Sequence, residues 1–359
     1  MLLALIMACT LVAEDEATGP RGPVGSTPST PDDSSTPPTV TDTGSTAPTV
    51  TTGDTSTFIG TVTDSSATGD TAATGDTGIG FDCSAPWPKR PISVTELSGW
   101  TQAEDFDFDG EGFVVSVENQ NLFGKDPYGN TRVYTPNVGS WTAGTRALPT
   151  GDFVVADAGA GELVLVDAVT GARTVLLGGL NYPNGVEVDA DNNVYVAQNS
   201  ADQVNRVNAY DPADREVVAD GLSEPNGVVL SPDGQTLYVG SFGGGKIYAV
   251  DRNPAGGWFP WRVFYDPNSS DSGFDGINVD ICGNVYITEY ISGHVYRVSP
   301  DGQTAEQIAD LSSSWIPNLR WGVGVAGWDP DTLYVADRDQ GRLFAIEVGI
   351  PGNPHVLAP

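Results

Sequence analysis

One stretch of the sequence, NGVEVDADNNVYVA at residues 184–197, decides the fold. Its alternating apolar residues on both sides of an acidic segment predict a strand, a turn and a second strand. Similar stretches recur at residues 226–240, 275–288 and 322–336, and two weaker copies end at residues 113–116 and 153–156. The copies are spaced by about 40 to 50 residues, the repeat length of β-propeller blades. Six copies therefore predict an all-β, six-bladed propeller.

Further short strands follow each copy. After the stretch at 184–197, the apolar patterns at residues 203–210 and 215–219 predict two more strands. Four antiparallel strands are the composition of a propeller blade. A single blade leaves two faces uncovered, so the blades must stack and the ring must close. The closing strand is either residues 92–97 or the tail at 355–358, and the sequence leaves both open.

Two segments precede the predicted propeller. Residues 1–13 resemble a bacterial lipoprotein signal, because an apolar run and a small residue lead to Cys9. The run is too short to span a bilayer. We therefore expect lipidation of Cys9, a membrane contact through this anchor only, and an exported lipoprotein of the cell envelope or surface. The alternative is a chance cysteine in a clipped secretory signal.

Residues 14–81 form a second segment of Thr, Ser, Asp, Gly and Pro with hardly any aromatic side chains. Such a composition cannot bury enough apolar surface to offset the entropy of ordering, so it predicts a disordered tether. The propeller then spans residues 82–359, and we expect it to act as a monomer.

The charge balance limits the possible partners. Lys and Arg number 16 against 47 Asp and Glu, which gives a formal net charge of −31. A surface of this sign repels phosphate backbones and argues against a nucleic acid partner. Divalent cations and small molecules remain suitable partners.

The two cysteines inside the propeller region, Cys83 and Cys282, are candidates for a disulfide. In an exported protein two cysteines pair more often than not. Such a bond would join the entering chain to the fifth blade. The alternative is two free thiols, which would react with a thiol reagent after denaturation without reductant.

Polar residues open the inner strand of several repeats. When the repeats are aligned, Asn184 and Asp275 fall at the same position. Asn226 matches them with one extra residue in the turn, and Glu104 matches with one residue fewer, with Asp105 as the fallback. Ring closure brings such positions to one mouth of the central channel. The second and sixth repeats lack the feature and have Ala143-Gly144 and Trp321-Gly322 there.

The chemistry of this set points to a metal ion. Two carboxylates and two amide oxygens suit a hard cation such as Ca²⁺. Zinc would require His or Cys, and none is placed there. The simpler interpretation is that Asn-Gly and Asp-Gly are ordinary turns, because short motifs of this kind recur by chance.

The motifs PNG at residues 183–185, PNG at 225–227 and FDG at 274–276, with their following strands, resemble the SMP-30/gluconolactonase family. The resemblance implies a six-bladed propeller with a divalent metal ion in the channel. Carried across, it implies Glu104, Asn184, Asn226 and Asp275 as the metal ligands. The substrate-binding arginine of some members has one candidate here, Arg146.

Two classes of function follow. The first is a metal-dependent hydrolase of lactones or esters, in which the metal polarises the carbonyl and Asp275 takes up the proton. The second is a non-catalytic surface propeller that binds carbohydrate or protein and holds a structural ion in its channel. The fold alone does not decide between them.

Overall fold

The computed structural model of the chain describes residues 81–84, 92–268 and 273–353. The predicted signal segment with Cys9, the predicted tether up to residue 80 and the tail at 355–358 lie outside these residues. Among the described residues, no helix combines the length and the apolar character that a membrane crossing requires.

The described residues form six antiparallel sheets of four strands each. In chain order the strands are β1 (Val94–Ser98); β2–β5 (Phe106–Phe108, Val114–Glu118, Asn121–Lys125, Thr131–Thr135); β6–β9 (Thr142–Ala147, Phe153–Asp157, Glu162–Val166, Arg173–Gly178); β10–β13 (Pro183–Val188, Asn193–Gln198, Gln203–Asn208, Arg215–Asp220); β14–β17 (Pro225–Leu230, Thr236–Ser241, Lys246–Asp251, Arg262–Tyr265); β18–β21 (Phe274–Val279, Val285–Glu289, His294–Val298, Ala305–Asp310); and β22–β24 (Leu319–Trp321, Thr332–Asp337, Arg342–Glu347).

The six sheets are the blades of a closed ring. Blades one to five are β2–β5, β6–β9, β10–β13, β14–β17 and β18–β21, and blade six is β22–β24 completed by β1. The first strand of each blade contacts that of the next blade, and β22 contacts β2. This confirms the predicted six-bladed propeller with four-stranded antiparallel blades. The N-terminal strand β1 pairs with β24, with Val94 opposite Ile346, and so resolves the choice of closing strand.

The hydrophobic core lies between the blades. Val186 and Val196 of blade three pack with Val154 and Leu163 of blade two, and all four side chains are fully buried. Every residue of β10 and of β14 is buried. Apolar runs on the two inner strands of a blade are therefore required, because neighbouring blades cover both of their faces.

A disulfide joins Cys83 to Cys282, whose Cα atoms are 5.4 Å apart. Cys282 lies in the turn between β18 and β19, where its backbone N–H donates to Asp280 Oδ1 at 2.9 Å. Asp280 is fully buried and also accepts a hydrogen bond of 2.8 Å from the Tyr286 hydroxyl. The bond therefore links residues 81–84 to a well-anchored turn of blade five.

Candidate functional site

A β-bulge at the start of three inner strands positions Asn184, Asn226 and Asp275. In β10 the pairing with β11 is interrupted after Pro183 and resumes at Val186. The same interruption occurs in β14 and in β18. A bulge redirects side chains relative to the sheet, and here it gives the three polar residues the same position in blades three, four and five.

The glycine that follows each of these residues allows the inner strands to approach one another. A Cβ atom on Gly185 would lie 2.2 Å from the carbonyl oxygen of Asn226, and one on Gly227 would lie 2.3 Å from that of Asp275. Only glycine fits such positions. The Asn-Gly and Asp-Gly pairs therefore belong to strands that pack at the channel, and the interpretation as ordinary turns is wrong.

Glu104 takes the equivalent position in blade one. It lies two residues before Phe106, where the pairing of β2 with β3 begins. Its side chain is 17% exposed and forms an ion pair with Arg338, which follows β23. Burial raises the pKa of Glu104; the Arg338 guanidinium partly offsets this rise, and the negative charge of Asp105 adds to it.

Asp275 interacts with the same group of side chains. It is 5% exposed, and burial raises its pKa well above the ordinary value. The charges of Glu104 and Asp105 raise this pKa further, whereas Arg338 and a hydrogen bond from the amide of Asn226 lower it. Glu104, Asn226, Asp275 and Arg338 therefore form one group of interacting side chains at the channel mouth.

These side chains suit a hard cation in their chemistry. Asn184 lies at the equivalent position on β10, the strand next to β14. Together with Glu104, Asn226 and Asp275 it makes a set of two carboxylates and two amides. The described residues contain no group of three or more His, Cys, Asp or Glu side chains that could hold a metal ion. Any ion at the mouth would thus depend on the amide oxygens as well. Because Glu104 and Asp275 are buried and repel each other, a divalent cation would stabilise both.

A buried ion network lines the channel next to this group, with Asp105 at its centre. One carboxylate oxygen of Asp105 accepts hydrogen bonds from Arg146, at 2.6 Å, and from the backbone of Thr145, at 2.9 Å. The other accepts from Asn318 at 2.5 Å and from Arg320 at 3.4 Å. Burial raises the pKa of Asp105 to about 6, although Arg146 lowers it. Asp105 is thus engaged by the channel wall, which leaves Glu104 as the mouth residue of blade one.

Arg146, the predicted substrate-binding residue, belongs to this network. It is 4% exposed, and its guanidinium donates to Asp105 and to the carbonyl oxygen of Thr145. Its Nε lies 3.9 Å from Glu187 Oε2. Burial raises the pKa of Glu187 to about 8 and that of Asp107 to about 6, and in both cases Arg146 opposes the rise. The structure therefore places Arg146 among buried acids of the channel.

A cavity of about 470 Å³ opens beside Glu104 and Arg338. Its wall includes Gln102 from blade one and Trp141, which precedes β6. Trp141 is 52% exposed, and its ring meets that of Tyr182 edge to face at a centroid distance of 5.6 Å. Of the four candidate ligands only Glu104 lines this cavity, so it offers a polar end at Glu104 and Arg338 and the Trp141 ring that a small organic molecule can contact.

Three further residues, which the sequence pattern did not indicate, reach the mouth from other blades. Arg338 and Tyr290 are each the first residue after the second strand of a blade, and the two side chains interact: Glu104 and Tyr290 both raise the pKa of Arg338, against the effect of burial. Phe242 follows β15 in the same way and packs against Tyr290 at a ring distance of 6.0 Å. Comparing this position across the repeats would have identified all three.

The repeat alignment was also wrong in blade six. Trp321-Gly322 does not correspond to the ligand positions of the other blades, because β22 ends at Trp321. Asn318, one residue before β22, approaches the channel instead: a Cβ atom on Gly276 would lie 2.5 Å from its Cα. A short inner strand and an irregular approach to it obscure the repeat there.

One protein family matches most of the chain. The model of the SMP-30/gluconolactonase/LRE-like region matches residues 113–337. The chain belongs to this family. The matched region includes Asn184, Asn226 and Asp275, whereas Glu104 and Arg338 lie just outside it.

Proteins similar to this member of the SMP-30/gluconolactonase/LRE-like family differ in what they do. A gluconolactonase of Zymomonas mobilis is 28% identical over 205 residues, which cover 50% of this chain and 57% of the relative. The chain thus matches just over half the length of that relative. Regucalcin from Agrobacterium tumefaciens, a calcium-binding protein, has a TM-score of 0.57 at 17% identity, covering 73% of this chain and 98% of regucalcin. Virginiamycin B lyase from Staphylococcus aureus has a TM-score of 0.53 at 12% identity, covering 71% and 99% of the two chains. At these identities the structural likeness shows the fold alone.

Proposed function

We propose that this protein hydrolyses lactones or esters with the help of a hard divalent cation, Ca²⁺ being the first candidate. The observation that carries the proposal is the group formed by the buried Asn226 and Asp275 with the partly buried Glu104, which borders an open cavity. The gluconolactonase relative supports the lactone substrate, and the calcium-binding relative supports the ion.

The residues of the mouth have distinct roles in this proposal. A bound divalent cation supplies Lewis acidity toward a carbonyl oxygen and a lowered pKa for a bound water. Glu104, Asn184 and Asn226 offer oxygen atoms to hold it. Asp275 is the candidate proton acceptor, because it is a carboxylate 5% exposed that lies in the same group of side chains. Asn226 lies beside Asp275, since its amide lowers the pKa of that carboxyl group.

The substitution Asp275→Asn tests the proposal, since it keeps the shape of the side chain and removes its basicity. Turnover of δ-gluconolactone, δ-valerolactone and dihydrocoumarin would be measured from the acid that is released. The assay would be run first after removal of metal with a chelator and again after addition of Ca²⁺. We expect kcat to fall by roughly 100-fold or more, the usual size of a general-base contribution. Asp310→Asn is the control, because this carboxylate is 73% exposed and lies on the outer strand β21. Wild-type turnover by Asp275→Asn would refute the assignment.

A binding propeller with a structural ion remains the second candidate. The observation that favours it is the pair of half-exposed tryptophans Trp141 and Trp315, which precede the inner strands of blades two and six. Calcium binding without turnover of any lactone or aryl ester would support this function over the first.

A further inference from the structure

Arg338 extends from a firmly anchored turn of blade six. Its backbone N–H donates to the carbonyl oxygen of Trp315 at 3.0 Å. The preceding residue, Asp337, is fully buried and pairs with Arg342 at 2.5 Å. The backbone of the turn is therefore held in place, and the Arg338 side chain is its adjustable part.

The Arg338 guanidinium meets residues from other blades. It forms an ion pair with Glu104 of blade one, and Tyr290 of blade five is near enough to raise its pKa as Glu104 does. Its charge also opposes the rise in the pKa of Asp275 and of Tyr182, which places it within electrostatic range of both. These contacts put a positive charge over the channel mouth, on the residues proposed to hold a cation.

Arg338 is the arginine that serves the mouth carboxylates, because Arg146 and Arg320 are engaged by Asp105 inside the channel. The Arg338 side chain is 36% exposed and borders the cavity. It therefore has room to turn away from Glu104 without disturbing the core.

We propose that Arg338 is an internal counter-ion that competes with a divalent cation for Glu104. The inference rests on the proposed function, in which Glu104 is a ligand of that cation. A guanidinium and a divalent ion against the same carboxylate repel each other strongly in a half-buried site. Cation entry therefore moves the Arg338 side chain off Glu104 and toward the cavity, so that Arg338 sets the affinity of the mouth for the ion.

Calcium titration of Arg338→Gln tests this competition. The full chain would be freed of metal with chelator and titrated with CaCl₂ by calorimetry. We expect the Kd to fall at least about tenfold in Arg338→Gln, because one opposing charge is removed. Arg338→Lys keeps the charge and should stay nearer the wild type. Arg262→Gln makes the same net charge change at a 51% exposed residue on the outer strand β17, and its Kd should remain that of the wild type.

Thermal unfolding gives a second measurement. Without metal, Arg338→Gln should have a lower Tm than the wild type, because Glu104 loses its counter-ion; with saturating CaCl₂ the difference should shrink or vanish. Tyr290→Phe removes the hydroxyl that helps to hold the positive charge of Arg338 at the mouth and should tighten calcium binding to a smaller extent, which tests the idea if Arg338→Gln folds poorly.

The outcomes separate this inference from the proposed function. Equal or weaker calcium binding by a folded Arg338→Gln would overturn the competition and leave the metal site intact. Binding by Arg338→Gln alone, with none in the wild type, would support the competition strongly. Binding by neither protein would remove both the competition and the metal-dependent function.

Discussion

Glu187 shows how a single buried carboxyl group can make stability depend on pH. Burial raises its pKa to about 8, and Arg146 only partly offsets the rise, while Asp107 and Asp105 add to it. A carboxyl group with a higher pKa in the folded chain binds more protons there than in the unfolded chain. The free energy of unfolding therefore falls as the pH rises from the unfolded pKa, about 4.3, to the folded one.

The substitution Glu187→Gln should remove this dependence. Asp105 and Asp107, whose pKa values are raised to about 6, contribute at lower pH, and the difference between the variant and the wild type from pH 6 to 8 isolates Glu187 from the other buried acids. We expect urea denaturation of the variant to show a flatter stability profile there and up to about 5 kcal/mol more stability than the wild type at pH 9, at about 1.4 kcal/mol for each unit of the pKa difference. Glu306→Gln, at an exposed residue of β21, is the matched control. An unchanged slope in Glu187→Gln would contradict the buried charge.

At the scale of strands, the repeat was readable because neighbouring blades impose the same burial on each inner strand. β10, β14 and β18 share a bulge, a polar residue and a glycine, so their positions could be aligned from the sequence alone. In blade six the inner strand shrinks to Leu319–Trp321 and a long connection precedes β23, so the same alignment failed.

The partners of the mouth residues could not be predicted in the same way. Glu104 and Arg338 are separated by 234 residues and meet only because blades one and six are neighbours in the closed ring. The sequence places the charged Arg146 within a predicted strand. Its contact with Asp105 could not be predicted, because that contact depends on the packing of β2 against β6. Periodicity specifies strands and registers, whereas contacts between blades follow from the assembled ring.

The substitution Gly227→Ala tests whether close strand packing holds the mouth together. The added Cβ would lie 2.3 Å from the carbonyl oxygen of Asp275, so β14 and β18 must move apart. We expect a loss of about 2 kcal/mol or more in the free energy of unfolding by urea. Gly110→Ala is the control, since a Cβ there meets no atom within 4 Å and the residue lies in a turn. Equal stability of the two variants would argue against a packing role for Gly227.

At the scale of the whole molecule, two devices bring distant parts of the chain together. β1 completes blade six through its pairing with β24, and Arg342 donates to Glu96 across this pair at 2.9 Å. The disulfide between Cys83 and Cys282 ties the chain just ahead of β1 to blade five. The pairing acts in the folded ring, whereas the covalent bond also restricts the unfolded chain.

Loss of the disulfide should therefore destabilise the propeller mainly through the unfolded state. The two cysteines are 199 residues apart, and closing a loop of that length costs the unfolded chain roughly 5 kcal/mol in the chain-entropy description. We expect Cys83→Ser and Cys282→Ser each to lower the urea midpoint substantially, and the double variant to be no less stable than either one, because one missing sulfur already prevents the bond. Reductant should lower the midpoint of the wild type toward that of the variants and leave the double variant unchanged, which separates this bond from any effect at Cys9. If reduction leaves the wild-type midpoint where it was, the ring is held by β1 and β24 and the bond contributes nothing to its stability.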